Sequence, residues 1–402
     1  MTKLLIIFPS IERGGAEEYA LTIACDARKQ GWQVHVAFPK TPRTTSLIQD
    51  FQQQKISFHC LEIAETYTRK LRTLRQYLPD FLRTIALLFK LQPDAAMLVL
   101  PWADRSLGTI LACSYLDIPI VVVFQLVPFQ INLSQWQLKL YNWSRARKQQ
   151  WVAVSEFSRK LVSETFQMPI GKVKCIYNGT KLEINKPHHP NEIVTLRDRL
   201  RQELELPVTS RLVLTVGRLN QQKGHNDLLP IIPSIIKEFP EVKFIWVGDG
   251  ELRSQLETEV KTANIEASVL FLGYRTDIPQ LLKAADLFLF PSYYEGYPFA
   301  LLEAMASGLP IISSDANPMP EIITDRVHGL LFRTGDRNDI STKLRWALQN
   351  PLSLEAMAEN AKLRVREFSA SKMSCETLDL IQQLIKQKTG DRRQETEYCL
   401  RQ

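Results

Sequence analysis

Short, almost wholly apolar runs separated by longer segments of helical spacing constrain this chain more than any other feature. Leu4 to Phe8, Val34 to Phe38, Ala96 to Leu100 and Ile120 to Phe124 are each too short for a helix and show no polar alternation. Strands buried on both faces read this way, and their β-α-β-α rhythm predicts an α/β fold with a parallel sheet covered by helices. The rhythm breaks at KLEINKPHHPNEIVTLRDRLRQELELPVTS and restarts with Arg211 to Val216, Val242 to Val247, Val269 to Leu272 and Leu287 to Phe290. At 402 residues the chain is too long for one ordinary core. Two similar α/β domains are expected, over residues 1–180 and 210–370, joined by a linker at 181–209. A helical, increasingly polar segment at 371–402 would pack on either of them.

The composition, 45% hydrophobic and 23% charged, is that of a globular protein able to bury such cores. No stretch approaches the roughly 20 apolar residues that span a bilayer. The run near the amino terminus lacks a small-residue cleavage site and reads as a buried first strand. Six scattered cysteines, with no CxxC pair, suggest neither a disulfide framework nor a zinc site, and the six histidines show no ligand spacing. A reducing cytoplasm fits. Charge is uneven: residues 1–186 carry 24 Lys and Arg against 14 Asp and Glu, and residues 187–402 carry 26 against 29. The first half is thus +10 and the second −3, which points to an anionic partner of the first half or to an ordinary solvated surface.

Three segments carry residues suited to chemistry. In PSIERGGAEEYALTIA, Gly14 and Gly15 precede a helix expected to start near Glu17 or Glu18, where backbone N–H groups favour an anion. A bland strand-to-helix turn explains the two glycines almost as well. In VLTVGRLNQQKGHNDLL, Gly217 and Arg218 end a strand and Lys223 follows. Ligands of open α/β sheets bind beyond strand carboxyl ends, and two cations there can neutralise a diphosphate. In PSYYEGYPFALLEAMASGLPIISSD, Glu295 and Gly296 lie in a loop before a helix beginning near Pro298 or Phe299, with a strand at Pro310 to Ser313 after it. Proline suits a first helical turn, and the N–H groups of Phe299 and Ala300 would face a phosphate. Glu303 lies further along that helix, within reach of a ribose. Taken singly, Glu295 and Glu303 would more often be solvated or capping groups.

These segments carry a resemblance. EGYPFALLEA resembles the E-x7-E segment of glycosyltransferase family 4, VGRLNQQKGH its donor-diphosphate segment, and GGAE its amino-terminal glycine loop; VGDGELR, FLGYRTDIPQLLKAADLFLFPS and IYNG follow the family order. The resemblance implies two Rossmann-like domains facing across a cleft, the GT-B fold, with the acceptor mainly on the first and the donor mainly on the second. It implies a nucleotide-diphosphate sugar donor, a carbohydrate or lipid-linked acceptor, retention of configuration, and no metal or other cofactor. Arg218 and Lys223 would hold the diphosphate, Glu303 the ribose and Glu295 the transferred sugar, with Gly15 and the N–H groups after Gly296 completing the site. Where family members often carry a histidine beside the sugar, PIVVVFQLVPF has Gln125, which can hydrogen-bond but cannot exchange a proton near neutral pH. His225 would cap or orient the loop after Lys223.

Other classes are less well supported. VGDGEL has Arg253 where a dinucleotide fingerprint needs its third glycine, and no GxxxxGK[ST] occurs. A sugar-nucleotide epimerase of the same architecture, or a catalytically weakened binding subunit, remain the alternatives. Nucleic-acid binding has only the basic first half in its favour. The segment TRKLRTLRQYLPDFLRTIALLFKLQPD brings Arg69, Lys70, Arg72, Arg75, Arg83 and Lys90 together with apolar residues at helical spacing. It reads either as a basic amphipathic surface for an anionic membrane, at the inner face, or as an ordinary helix with its apolar stripe in the core.

Overall fold

The computed structural model describes residues 1–63, 74–182 and 190–400. Its contacts divide the chain into two units, Met1–Asn178 with Ser371–Gln402, and Gly179–Ala370. In the first unit the chain runs β1 (Lys3–Ile7), α1 (Gly15–Lys29), β2 (Gln33–Phe38), α2 (Thr45–Gln53), β3 (Ser57–Cys60), α3 (Leu74–Leu91) and β4 (Ala95–Leu100). It continues through α4 (Leu107–Tyr115), β5 (Ile120–Phe124), α5 (Gln135–Arg145), β6 (Gln149–Ala153), α6 (Glu156–Thr165) and β7 (Val173–Cys175). The strands form one parallel sheet in the order β3-β2-β1-β4-β5-β6-β7. Every residue of β4 and β5 is buried, which is why these strands read as unbroken apolar runs. The winding direction reverses between β1 and β4.

The second unit runs α7 (Pro190–Glu203), β8 (Arg211–Val216), α8 (His225–Leu228), α9 (Ile232–Glu238), β9 (Val242–Val247), α10 (Arg253–Thr262), β10 (Val269–Gly273), α11 (Ile278–Ala284) and β11 (Leu287–Phe290). There follow α12 (Phe299–Ser307), β12 (Ile311–Ser314), α13 (Met319–Ile322), β13 (Leu330–Phe332), α14 (Arg337–Gln349) and α15 (Pro351–Arg364). Its parallel sheet is ordered β10-β9-β8-β11-β12-β13, so here the reversal falls between β8 and β11. Two parallel-sheet, Rossmann-like domains are therefore present.

One segment differs from its sequence reading. The stretch read as a linker, 181–209, contains α7, which packs on α11 inside the second unit. The cause is Arg201, only 1% exposed, whose guanidinium donates to Ser210 O at 2.7 and 3.0 Å, to Ala284 O at 3.2 Å and to Asp286 Oδ2 at 2.7 Å. The carboxyl-terminal segment forms α16 (Ala370–Leu400), which from Ser371 onward belongs to the first unit. There the buried hydroxyls of Tyr19 in α1 and Thr377 meet at 2.8 Å.

Helix α3 settles part of the question about its stripe. Tyr77, Asp80, Thr84, Leu88 and Leu91 are buried, as an ordinary helix requires. The opposite face nevertheless exposes Leu78, Leu82 and Phe89, at 52%, 55% and 63%, beside exposed Arg83 and Lys90. Arg69, Lys70, Leu71 and Arg72 lie outside the described residues. Among the described residues no helix is long and apolar enough to cross a membrane.

Candidate active site

In an open parallel sheet, the loops beyond the strand carboxyl ends leave a crevice where the winding reverses, because neighbouring connections there depart to opposite sides. In the second unit the loops at this point follow β8 and β11. They bring together residues 72 positions apart that no local spacing links.

The loop after β8 is held by backbone bonds from Gly217 N to Val247 O and from Leu219 N to Asp249 O, both 2.9 Å. Arg218, between them, is exposed. Asn220 accepts from Lys223 N at 3.3 Å and closes a single 3₁₀ turn over Gln221–Lys223. Lys223 then lies back along Gly217: a Cβ at that glycine would come within 3.2 Å of the lysine Cδ and Cε. The Lys223 ammonium donates to Glu295 Oε1 at 2.5 Å and stands 5.1 Å from the centre of the Phe290 ring. Gln222 Nε2 donates to Tyr294 O at 2.9 Å and to Glu295 Oε2 at 3.4 Å, while Tyr293 N–H donates to Gln222 O at 2.8 Å. The two loops thus form one hydrogen-bonded body. The Lys223 and Glu295 side chains retain only 17% and 9% exposure, so their pairing is poorly screened and their orientations are fixed by each other.

Beyond Glu295 and Gly296 the chain enters α12. Pro298 is the N-cap, one position earlier than the first-turn place expected for it, and the helix begins at Phe299. The first-turn N–H groups at Phe299 and Ala300 have no carbonyl one turn back within the helix, and the macrodipole adds positive potential there. Phe299, Ala300 and Glu303, the last one turn further on, are all half-buried. A side-chain cation at Lys223, another at Arg218 and a helix amino terminus therefore share one switch point, the combination an anion needs.

His225 does not act as expected. Its helix is capped by Gly224, with no side-chain cap bond, and the imidazole is buried 5.1 Å from the Trp246 ring, edge to face. Neither ring nitrogen has a hydrogen-bond partner, and burial first, then Lys223, pushes its pKa down to about 3. The ring is a neutral packing element. A further cluster that sequence reasoning missed supports the loop after β11. There the Tyr293 hydroxyl donates to buried Asp227, which also pairs with Arg337 at 3.0 Å. Gln222, Tyr293 and Asp227 carry no motif of their own; only the pairing of β8 with β11 reveals them.

In the first unit Gly14 is the N-cap of α1, in extended backbone, and Gly15 is its first residue, earlier than the Glu17 or Glu18 start expected. Gln125 is buried and forms a reciprocal amide pair with Asn178 of the IYNG segment, at 3.0 and 3.4 Å. Among the described residues no three His, Cys, Asp or Glu side chains are grouped to hold a metal ion.

Comparison with known proteins follows this division. A family model for Glycosyltransferase Family 4 matches residues 13–184, and one for glycosyl transferases group 1 matches residues 197–364. Spore coat protein SA of Bacillus subtilis is 34% identical over 191 residues, 45% of this chain and 50% of that protein. The UDP-Gal:alpha-D-GlcNAc-diphosphoundecaprenol alpha-1,3-galactosyltransferase of Escherichia coli is 32% identical over 207 residues, 51% of this chain and 52% of that one. The chain spans about half the length of these curated relatives. Among solved structures, Anabaena HepE in complex with UDP and glucose superposes with a TM-score of 0.79 at 22% identity, covering 95% of this chain and 100% of that one. A glycosyltransferase from Rickettsia africae gives 0.78 at 16% identity, over 96% and 99%. At these identities the likeness is one of fold, and the fold is GT-B. With both family models matched in order, one on each domain, the chain belongs to the family 4-like glycosyltransferases.

Proposed function

We propose that the chain transfers a sugar from a nucleotide-diphosphate donor to an acceptor hydroxyl, with retention at the anomeric carbon, in glycan or glycolipid synthesis. The observation that carries this reading is the convergence of Arg218, Lys223, Glu295 and the start of α12 at the switch point of the second sheet. As the bond from the anomeric carbon to phosphate breaks, the diphosphate leaves with the electron pair. Arg218, Lys223 and the N–H groups of Phe299 and Ala300 stabilise that growing charge, in place of a divalent ion. Donor binding draws Lys223 from Glu295 toward the phosphates, which leaves the Glu295 carboxylate to accept from hydroxyls of the transferred sugar. Glu303 takes the ribose hydroxyls. The UDP and glucose bound to HepE make uridine-diphosphate sugars the first donors to try.

The acceptor is a carbohydrate, free or lipid-linked, and the basic first half with the apolar outer face of α3 suits work at an anionic membrane surface in the cytoplasm. A panel of donor sugars scored by nucleotide-diphosphate release, with and without a cell-derived acceptor fraction, tests the reading. Release stimulated by acceptor is expected; no release from any donor sinks it. Binding of a uridine nucleotide without turnover would favour a partner subunit instead.

A further inference from the structure

The first sheet has its own switch point, between β1 and β4, and the loop after β4 carries a group that the donor chemistry does not use. In that loop, PWADRS, Ala103 turns into the core at 1% exposure while Trp102 stays half-buried. In the next loop, after β5, Val127 is fully buried whereas Phe129 is 47% exposed. The Trp102 and Phe129 ring centres are 6.4 Å apart at 51°, and the Arg105 guanidinium lies 6.0 Å from the Trp102 ring. Two aromatic rings from the loops after β4 and β5 thus converge outside the core, with Arg105 against one of them and half-buried Asp104 next to it in the chain. The loop is also held in place at a conformational cost: Ser106, fully buried, has φ 59°, the left-handed region that a residue with a Cβ seldom adopts.

We infer that Trp102 and Phe129 form the platform on which the acceptor's sugar ring lies, with Arg105 and Asp104 bonding its hydroxyls; this rests on the transferase reading above. A pyranose has one face of C–H groups and a rim of hydroxyls. A pair of aromatic rings covers the first at low entropic cost, and a charged donor and acceptor at its edge satisfy the second. Core packing does not explain the arrangement, because Ala103 and Val127 belong to the core while Phe129 is exposed and Trp102 only half-buried.

The test is saturation-transfer NMR on the full chain with octyl glycosides of glucose, galactose and N-acetylglucosamine, alongside nucleotide-diphosphate release from the donor panel with and without the acceptor fraction. Trp102→Ala and Phe129→Ala are each expected to weaken saturation of the ring C–H protons by about 3- to 10-fold, the range an aromatic contact supplies. Trp102→Tyr should retain it. Unaltered ring saturation in both alanine variants, or saturation confined to the octyl chain, overturns the platform. A wild-type chain that saturates sugar rings through Trp102 yet releases no nucleotide diphosphate from any donor, with or without the acceptor fraction, would instead remove the transferase reading and leave the platform standing.

Discussion

Lys223 lies close along Gly217 on its way to Glu295, and this contact ties the two loops that follow β8 and β11. If Lys223 and Arg218 stabilise charge that grows toward the transition state, Arg218→Ala and Lys223→Ala should each lower kcat/KM by about 10²- to 10³-fold, equivalent to roughly 2–4 kcal/mol. Near-normal kinetics in both variants would remove the diphosphate role. Glu303→Ala should raise the dissociation constant for free nucleotide diphosphate, and an unchanged constant would exclude ribose contact. Because the counter-charge comes from side chains and a helix end, turnover should persist in EDTA; abolition reversed by a divalent ion would overturn that mechanism. His225 adds a pH term. Its folded pKa lies near 3, below the usual value near 6.5, so the stability it allows is complete above about pH 6.5 and falls as pH drops toward 3. His225→Phe, which keeps a ring against Trp246, should flatten the decline in urea stability between pH 6.5 and 4. An unchanged slope would show that the imidazole already protonates in the folded protein.

At the scale of single elements, the turn between Lys223 and α8 depends on Gly224. Its φ is 70°, and a Cβ there would stand 2.0 Å from Pro291 O, the first residue beyond β11. Gly224→Ala is therefore expected to cost more than the roughly 1 kcal/mol of a left-handed alanine alone, and to lower donor affinity by prising the loops apart. A variant with wild-type thermal stability would contradict this. Much at this level was legible in the residue order. Ile120–Phe124, Arg211–Val216, Val242–Val247 and Leu287–Phe290 are strands with the bounds their apolar runs suggest, since most of each run is buried. The candidates Arg218, Lys223, Glu295 and Glu303 were picked out by strand-end position and motif order, and the structure sets Lys223 against Glu295. What stayed hidden was lateral: which strands are neighbours, that Gln222 supports Glu295, and that Arg201 binds the presumed linker to the second sheet. Those facts depend on pairing across many residues, and local spacing carries no record of it.

For the whole molecule, the surplus of positive charge in residues 1–186 and the exposed Leu78, Leu82 and Phe89 on α3 argue in the same direction. Each basic residue near an anionic leaflet adds about 1 kcal/mol, and the attraction is screened by salt. Binding to vesicles should therefore require anionic lipid, weaken as salt rises, and fall when Arg69, Lys70, Arg72 and Arg75 are neutralised together or when Leu82 and Phe89 become serine. Salt-insensitive binding, or none at low salt, would leave a water-soluble acceptor as the better reading.

The path of the chain has a further consequence for synthesis. Residues 179–370 are an insertion into the first unit, whose helix α16 is made only after the whole of the second unit. The second unit has all its residues available while the first still lacks the partner of Tyr19. The second unit can thus form on the nascent chain ahead of the first, and α16, made after it, acts as the clasp that completes the first unit.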